Sequence, residues 1–181
     1  MKTNIVLIGF MGVGKTSVGR RVAEILNKEF IDTDQEIERI TGLPIMEIFN
    51  KYGEIRFRSE EKLVIAKLSN KTNCVISTGG GAILDGGNVE ALKRHGVLIC
   101  LKASPEKIQT RVKKRGGRPL LQRNKSVEYI QELLDEREQY YATHADHVMD
   151  TTNLNIQETV EEILALVKGR DRENANSCGQ C

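Results

Sequence analysis

Short apolar runs alternate along the chain with longer stretches whose apolar residues recur every three or four positions. Ile5–Ile8, Cys74–Ile76 and Val97–Leu101 are runs of the first kind and read as buried strands. Val18, Val22, Ile25 and Leu26 show the helical spacing, as do Ile156, Val160, Ile163, Leu164 and Val167 near the other end. The pattern predicts strands at 4–8, 29–31, 74–77, 97–101 and 147–149. It predicts helices at 15–27, 34–41, 45–51, 54–69, 88–94, 105–114, 126–143 and 156–168. Such alternation argues for a parallel α/β sheet with helices on both faces. Two helix starts carry their own signals. Thr33 to Glu36 has the form of a capping box, and Ser104 stands as a cap before Pro105 at a first helical position. One domain is expected over 1–168. From 169 onward the chain is polar and lacks apolar periodicity, so 169–181 is expected to be an unstructured tail.

Composition narrows the class without naming a chemistry. The 181 residues suffice for one sizeable core, at 39% hydrophobic and 29% charged. A formal net charge of +2 gives no field that argues for nucleic acid or a membrane surface. No apolar run approaches the roughly 20 residues that span a bilayer. The N-terminus enters the first strand at once, leaving no room for a signal peptide, so a cytoplasmic protein is expected. Cys74 and Cys100 fall in strand-like runs and read as inert buried thiols. Cys178 and Cys181 form a C-x-x-C pair, but no second ligand pair or helix start accompanies it. His95, His144 and His147 show no metal spacing.

The chemistry is concentrated between the predicted elements. Gly9 to Thr16 fits G-x-x-x-x-G-K-[ST], between a strand and a helix. Gly9, Gly12 and Gly14 keep side chains away so that backbone N–H groups, Val13 among them, can wrap a polyanion. The helix that follows, through Lys15, Thr16 and Ser17, points its positive end at the phosphates. Lys15 adds a charge near the β- and γ-phosphates, and the Thr16 hydroxyl suits Mg²⁺.

Asp32 and Asp34 follow the second strand, at the usual crevice of an open α/β sheet. Alternation along an extended segment would put both on one face. One carboxylate can serve Mg²⁺ and the other can take a proton from a hydroxyl nucleophile; helix capping is the competing explanation. Glu61 falls on an apolar face with Phe57 and Ile65, and Arg58 at i−3 is its natural partner. Arg137 also falls on a face that should be buried, with Ile130 and Leu134. Either arginine can be a structural ion pair, or the two can grip an acidic small substrate. Gly79, Gly80 and Gly81 follow the third strand and allow a ligand close to the backbone. The stretch from Arg111 to Lys125 holds seven basic residues and no acidic one. It reads as a solvated loop or as a lid, at about 112–125, that closes over phosphates.

Together these segments resemble the shikimate kinases. The motifs are the phosphate loop, Asp32-Thr-Asp34, the stretch from Gly53 to Glu61, Gly79–Gly81, Arg118-Pro-Leu-Leu121 and Arg137, in the order and spacing of that family from about residue 4 to 167. The resemblance implies the P-loop fold of the nucleoside monophosphate kinase type, with a five-stranded parallel sheet and a mobile lid. It implies ATP-dependent phosphorylation of the 3-hydroxyl of shikimate in the chorismate pathway, with Mg²⁺. By matched position, Asp34 binds the substrate hydroxyls and is the base candidate. Arg58, Gly80 and Arg137 hold shikimate, with the two arginines on its carboxylate. Lys15 and Arg118 contact the phosphates, Thr16 and Asp32 serve the metal, and Arg111 and the loop near Asn153 lie by the adenine. A monomer is expected. A gluconate- or nucleoside-monophosphate-type kinase on the same fold is the enzyme alternative, and a non-catalytic nucleotide switch the alternative of another class. Thr152 to Asn155 lacks the Arg and Pro of many relatives, which leaves the adenine contacts open.

Overall fold

A computed structural model describes residues 2–115 and 124–178. The elements run β1 (Asn4–Ile8), α1 (Lys15–Leu26), β2 (Glu29–Asp32), α2 (Thr33–Thr41), α3 (Ile45–Leu68), β3 (Cys74–Ser77), α4 (Gly86–Lys93), β4 (Gly96–Lys102), α5 (Pro105–Arg115), α6 (Val127–His144), β5 (His147–Asp150) and α7 (Ile156–Cys178), with a short 3₁₀ turn at Ala82–Leu84. All five strands pair in parallel, in the order β2-β3-β1-β4-β5.

The apolar runs are continuous because both faces of the sheet are covered. On β1, Ile5 and Leu7 face one core with Val18 and Val22 of α1, Ile108 of α5 and Val160 of α7. Val6 and Ile8 face the other, with Ile37 of α2, Val64 and Ile65 of α3 and Val89 of α4. Each such side chain removed from water stabilises the fold by about 1.5–3 kcal/mol before entropy is counted. Cys74 and Cys100 are buried free thiols, as their runs predict, and burial lifts the Cys100 thiol to about 11.

Several local expectations need correction. The cap of α2 is Asp32, whose side chain accepts from the N–H groups of Asp34 and Gln35; Thr33 is already helical and turns its hydroxyl elsewhere. Asp32 and Asp34 therefore share no extended segment: one ends β2, the other lies in the first turn of α2. Ile25, placed on the apolar stripe of α1, is 45% exposed. The two helices predicted at 45–51 and 54–69 form α3, broken at Gly53, whose φ of 78° and ψ of 176° no helix accommodates. The expected unstructured tail is also overturned in part, since α7 continues to Cys178. Residues 170–178 contain neither Pro nor Gly to stop it. Ser104 does cap α5, accepting from the Lys107 N–H at 3.3 Å. The predicted lid starts inside α5, which runs to Arg115, and residues 116–123, Arg118 included, lie outside the described residues.

Candidate active site

The carboxyl ends of β1, β2 and β3 open onto one cavity of about 690 Å³. The phosphate loop forms its floor. Gly9, Gly12 and Gly14 have φ of 132°, 83° and 110°, values that side chains disfavour. A Cβ on Gly9 would run into the Leu101 carbonyl of β4, so the loop is packed down on the sheet. Gly14 caps α1, whose positive end therefore faces the cavity. The Lys15 ammonium lies over the loop and donates to the carbonyls of Gly9 at 2.7 Å and Phe10 at 2.9 Å. Gly12, Val13, Gly14, Thr16 and Ser17 all line the cavity.

The second wall is acidic. The Thr16 hydroxyl donates to Asp32 Oδ2 at 2.8 Å, with Ser77 Oγ 3.5 Å away. Asp34 lines the cavity from the first turn of α2, where the helix end favours its charge. Its neighbour Thr33 accepts the Gly79 N–H at 2.9 Å and so ties α2 to the glycine segment after β3. A Cβ on Gly79 would lie 2.7 Å from both Asp34 Oδ1 and Glu61 Oε1, which explains the glycine there. Gly80 and Gly81 complete this edge.

Arg58 reaches the cavity from α3 between two carboxylates. Nη1 donates to the buried Glu61 at 2.7 Å, while Nε and Nη2 donate to Glu54 at 3.2 and 3.0 Å. Burial acts to lower the Arg58 pKa, and the two acids outweigh it, so the guanidinium stays charged. For Glu61 burial dominates and raises the pKa; Arg58 opposes the rise and Asp34 adds to it. A folded value above the ordinary 4.5 means that folding favours the neutral acid. The stability from this group is thus full below the unfolded pKa and is lost as pH rises through the folded one. Glu61→Gln removes that loss. In urea melts from pH 4 to 7, the stability difference between variant and parent is expected to drift in the variant's favour as pH rises; a flat difference would contradict the assignment.

Arg137 is only 6% exposed and does not line the cavity itself. Its guanidinium carbon sits 5.3 Å from the Phe10 ring centroid, and Nη1 has no hydrogen-bond partner among the described residues. Arg111 lines the opposite end and donates to the Val13 carbonyl at 2.9 Å and the Thr151 carbonyl at 3.4 Å. Asn153 does not reach the wall. It is exposed at the tip of a turn closed by Leu154 N–H to the Thr151 carbonyl, and Leu154 and Asn155 line the cavity instead. The sequence reading also misses the apolar side wall of Ile45, Met46, Phe49 and Phe57. Phe49 and Phe57 lie with ring centroids 4.7 Å apart, and in sequence they look like ordinary core positions.

A phosphate loop on a parallel sheet of order 2-3-1-4-5, opposite a carboxylate and a buttressed arginine, defines a P-loop kinase that acts on a small acceptor. The sequence matches the shikimate kinase family over residues 11–168. It is 54% identical over 165 residues to a shikimate kinase of Pelotomaculum thermopropionicum, covering 91% of this chain and 95% of that one. A structure of shikimate kinase from Acinetobacter baumannii in complex with shikimate superposes with a TM-score of 0.88 at 39% identity, covering 93% and 94% of the two chains. A gluconokinase from Sinorhizobium meliloti shares the fold alone, at 20% identity and a TM-score of 0.61. The chain belongs to the shikimate kinase family and is an ATP-dependent kinase.

Proposed function

We propose that this chain transfers the γ-phosphoryl group of ATP to the 3-hydroxyl of shikimate, giving shikimate 3-phosphate and ADP. The observation that carries this reading is the meeting of Asp34 and the Arg58–Glu61 pair with the phosphate loop around one cavity. Phosphoryl transfer asks mainly for positioning and charge stabilisation. The loop N–H groups and Lys15 hold the β- and γ-phosphates, and Arg111 closes the nucleotide end. Asp34 orients the attacking hydroxyl and accepts its proton. Arg58 and Arg137 grip the carboxylate of the acceptor and turn its ring toward the loop.

The all-oxygen set of the Thr16 hydroxyl and the Asp32 carboxylate, already in contact, fits Mg²⁺. Bound there with the nucleotide, the ion would neutralise charge on the phosphate oxygens. The basic stretch around Arg118 acts as a lid that excludes water and so suppresses ATP hydrolysis. We further infer a cytoplasmic monomer. The described residues that line the site all come from this one chain, and among the described residues no helix is long and apolar enough to cross a membrane.

The test is ADP release measured with shikimate, gluconate and nucleoside monophosphates in parallel, with the phosphorylated product identified by mass. Turnover is expected with shikimate alone. Comparable turnover with gluconate, or ATP hydrolysis without a phosphorylated acceptor, would overturn the reading.

A further inference from the structure

Tyr141 lies one turn beyond Arg137 on α6 and is 3% exposed. Its hydroxyl donates to the Gly80 carbonyl at 2.7 Å, across a sequence separation of 61. A buried tyrosine hydroxyl needs a partner, but a backbone carbonyl on the wall of the cavity is a selective one. Gly80 also packs on the phosphate loop: a Cβ there would stand 3.1 Å from the Met11 nitrogen and 3.6 Å from the Phe10 carbonyl carbon. One short peptide segment therefore touches the loop on one side and is tethered to α6 on the other.

The tether has a directional consequence. Peptide units are planar, and the described residues contain no cis bond. Fixing the Gly80 oxygen toward Tyr141 turns the Gly81 N–H to the opposite side of the same plane. Gly81 lines the cavity and faces Arg58, whose Nη1 lies 2.5 Å from where a Gly81 Cβ would be. Burial pushes the Tyr141 phenol well above its ordinary pKa, and the adjacent Arg137 only partly offsets this. The hydroxyl thus stays protonated and remains a donor at any working pH.

We propose that Tyr141 is a positioning residue for the acceptor. Its buried hydroxyl locks the Gly80–Gly81 peptide so that the Gly81 N–H joins Arg58 and Arg137 around the substrate carboxylate. Helix α6 then delivers two functions from successive turns: a guanidinium from Arg137 and an oriented N–H through Tyr141. The proposal rests on the reading of shikimate as acceptor. It adds a residue that touches neither substrate.

Tyr141→Phe removes the hydroxyl and keeps the ring. The KM for shikimate is expected to rise about 3- to 10-fold, in line with one lost hydrogen bond. The KM for ATP is expected to stay within about twofold, and kcat within about threefold. In the ligand-free protein, amide exchange across residues 79–84 should quicken, a readout that does not depend on which acceptor is used. Two further variants separate positioning from bulk stability. Leu133→Ala cuts a core contact on the same helix and should lower Tm without raising the shikimate KM. Replacing Tyr141 with 4-aminophenylalanine keeps a donor of similar reach and should restore a near-parental KM, even if Tyr141→Phe folds poorly. A lower Tm with both KM values unchanged would overturn the proposal, as would equal rises for the two substrates. Quickened exchange in a protein that does not phosphorylate shikimate would sink the substrate assignment and leave the tether standing; unaltered exchange would sink the tether itself.

Discussion

Asp34→Asn is expected to lower kcat by about 100- to 10,000-fold, the range that a positioned general base contributes. The amide keeps the size of the carboxylate and can still hydrogen-bond the acceptor hydroxyl, but it cannot take the proton. Asp34 stands in the first turn of α2, on a different element from Lys15 and Thr16, which begin α1 and are proposed to serve the triphosphate and its metal. The KM for ATP should therefore change by less than about threefold. Shikimate affinity should fall modestly, because a charged acceptor becomes a neutral one. Rapid-quench measurement of the first turnover separates chemistry from product release. A first-turnover rate within about threefold of the parent would remove Asp34 from the reaction. Glu61, the other carboxylate beside Gly79, is engaged by Arg58 at 2.7 Å and is not placed to substitute for it.

The sequence exposes those parts of this site that depend on local spacing. The phosphate loop must have its glycines and Lys15 at set intervals, because one continuous segment wraps the anion. Arg58 and Glu61 are three apart on a helix, so their pairing follows from helix geometry alone, and the structure has it. What escaped depends on contacts between distant segments. Asp32 and Thr33 are both good caps, and local pattern cannot choose between them. The choice is made by Gly79, 46 positions away, which takes the Thr33 hydroxyl and leaves Asp32 to cap α2. Phe49 and Phe57 look like core residues, and Phe57 is indeed buried, yet both also wall the cavity. Tyr141 reads as one more apolar position on α6 until its partner 61 residues earlier is known. The loop at Asn153 is legible only as a segment: the turn at Thr151–Leu154 leaves Asn153 exposed while Leu154 and Asn155 line the cavity, and local pattern does not tell these neighbours apart.

Arg137→Ala is expected to raise the KM for shikimate about 10- to 150-fold, the equivalent of about 1.5–3 kcal/mol for a charge-assisted contact. The KM for ATP should stay within about threefold. The size of the effect follows from how the guanidinium is held. A buried charge without compensation is costly, and Nη1 has no partner among the described residues. The Phe10 ring face offsets part of that cost through a cation–π contact. A group so placed is set to gain from an incoming carboxylate more than an exposed arginine would, since the water it must give up is already gone. The same reasoning fixes the sign of the stability change. Without its ligand, the protein should lose little stability on Arg137→Ala, because removing the arginine also removes an under-compensated charge. Protection against thermal unfolding by added shikimate should, however, largely disappear. Arg137→Lys keeps the charge and loses the planar fork, so it should fall between the two. Melting curves with and without shikimate give both quantities in one experiment. A variant that loses several kcal/mol of ligand-free stability while keeping its shikimate protection would show that Arg137 serves the core and not the substrate.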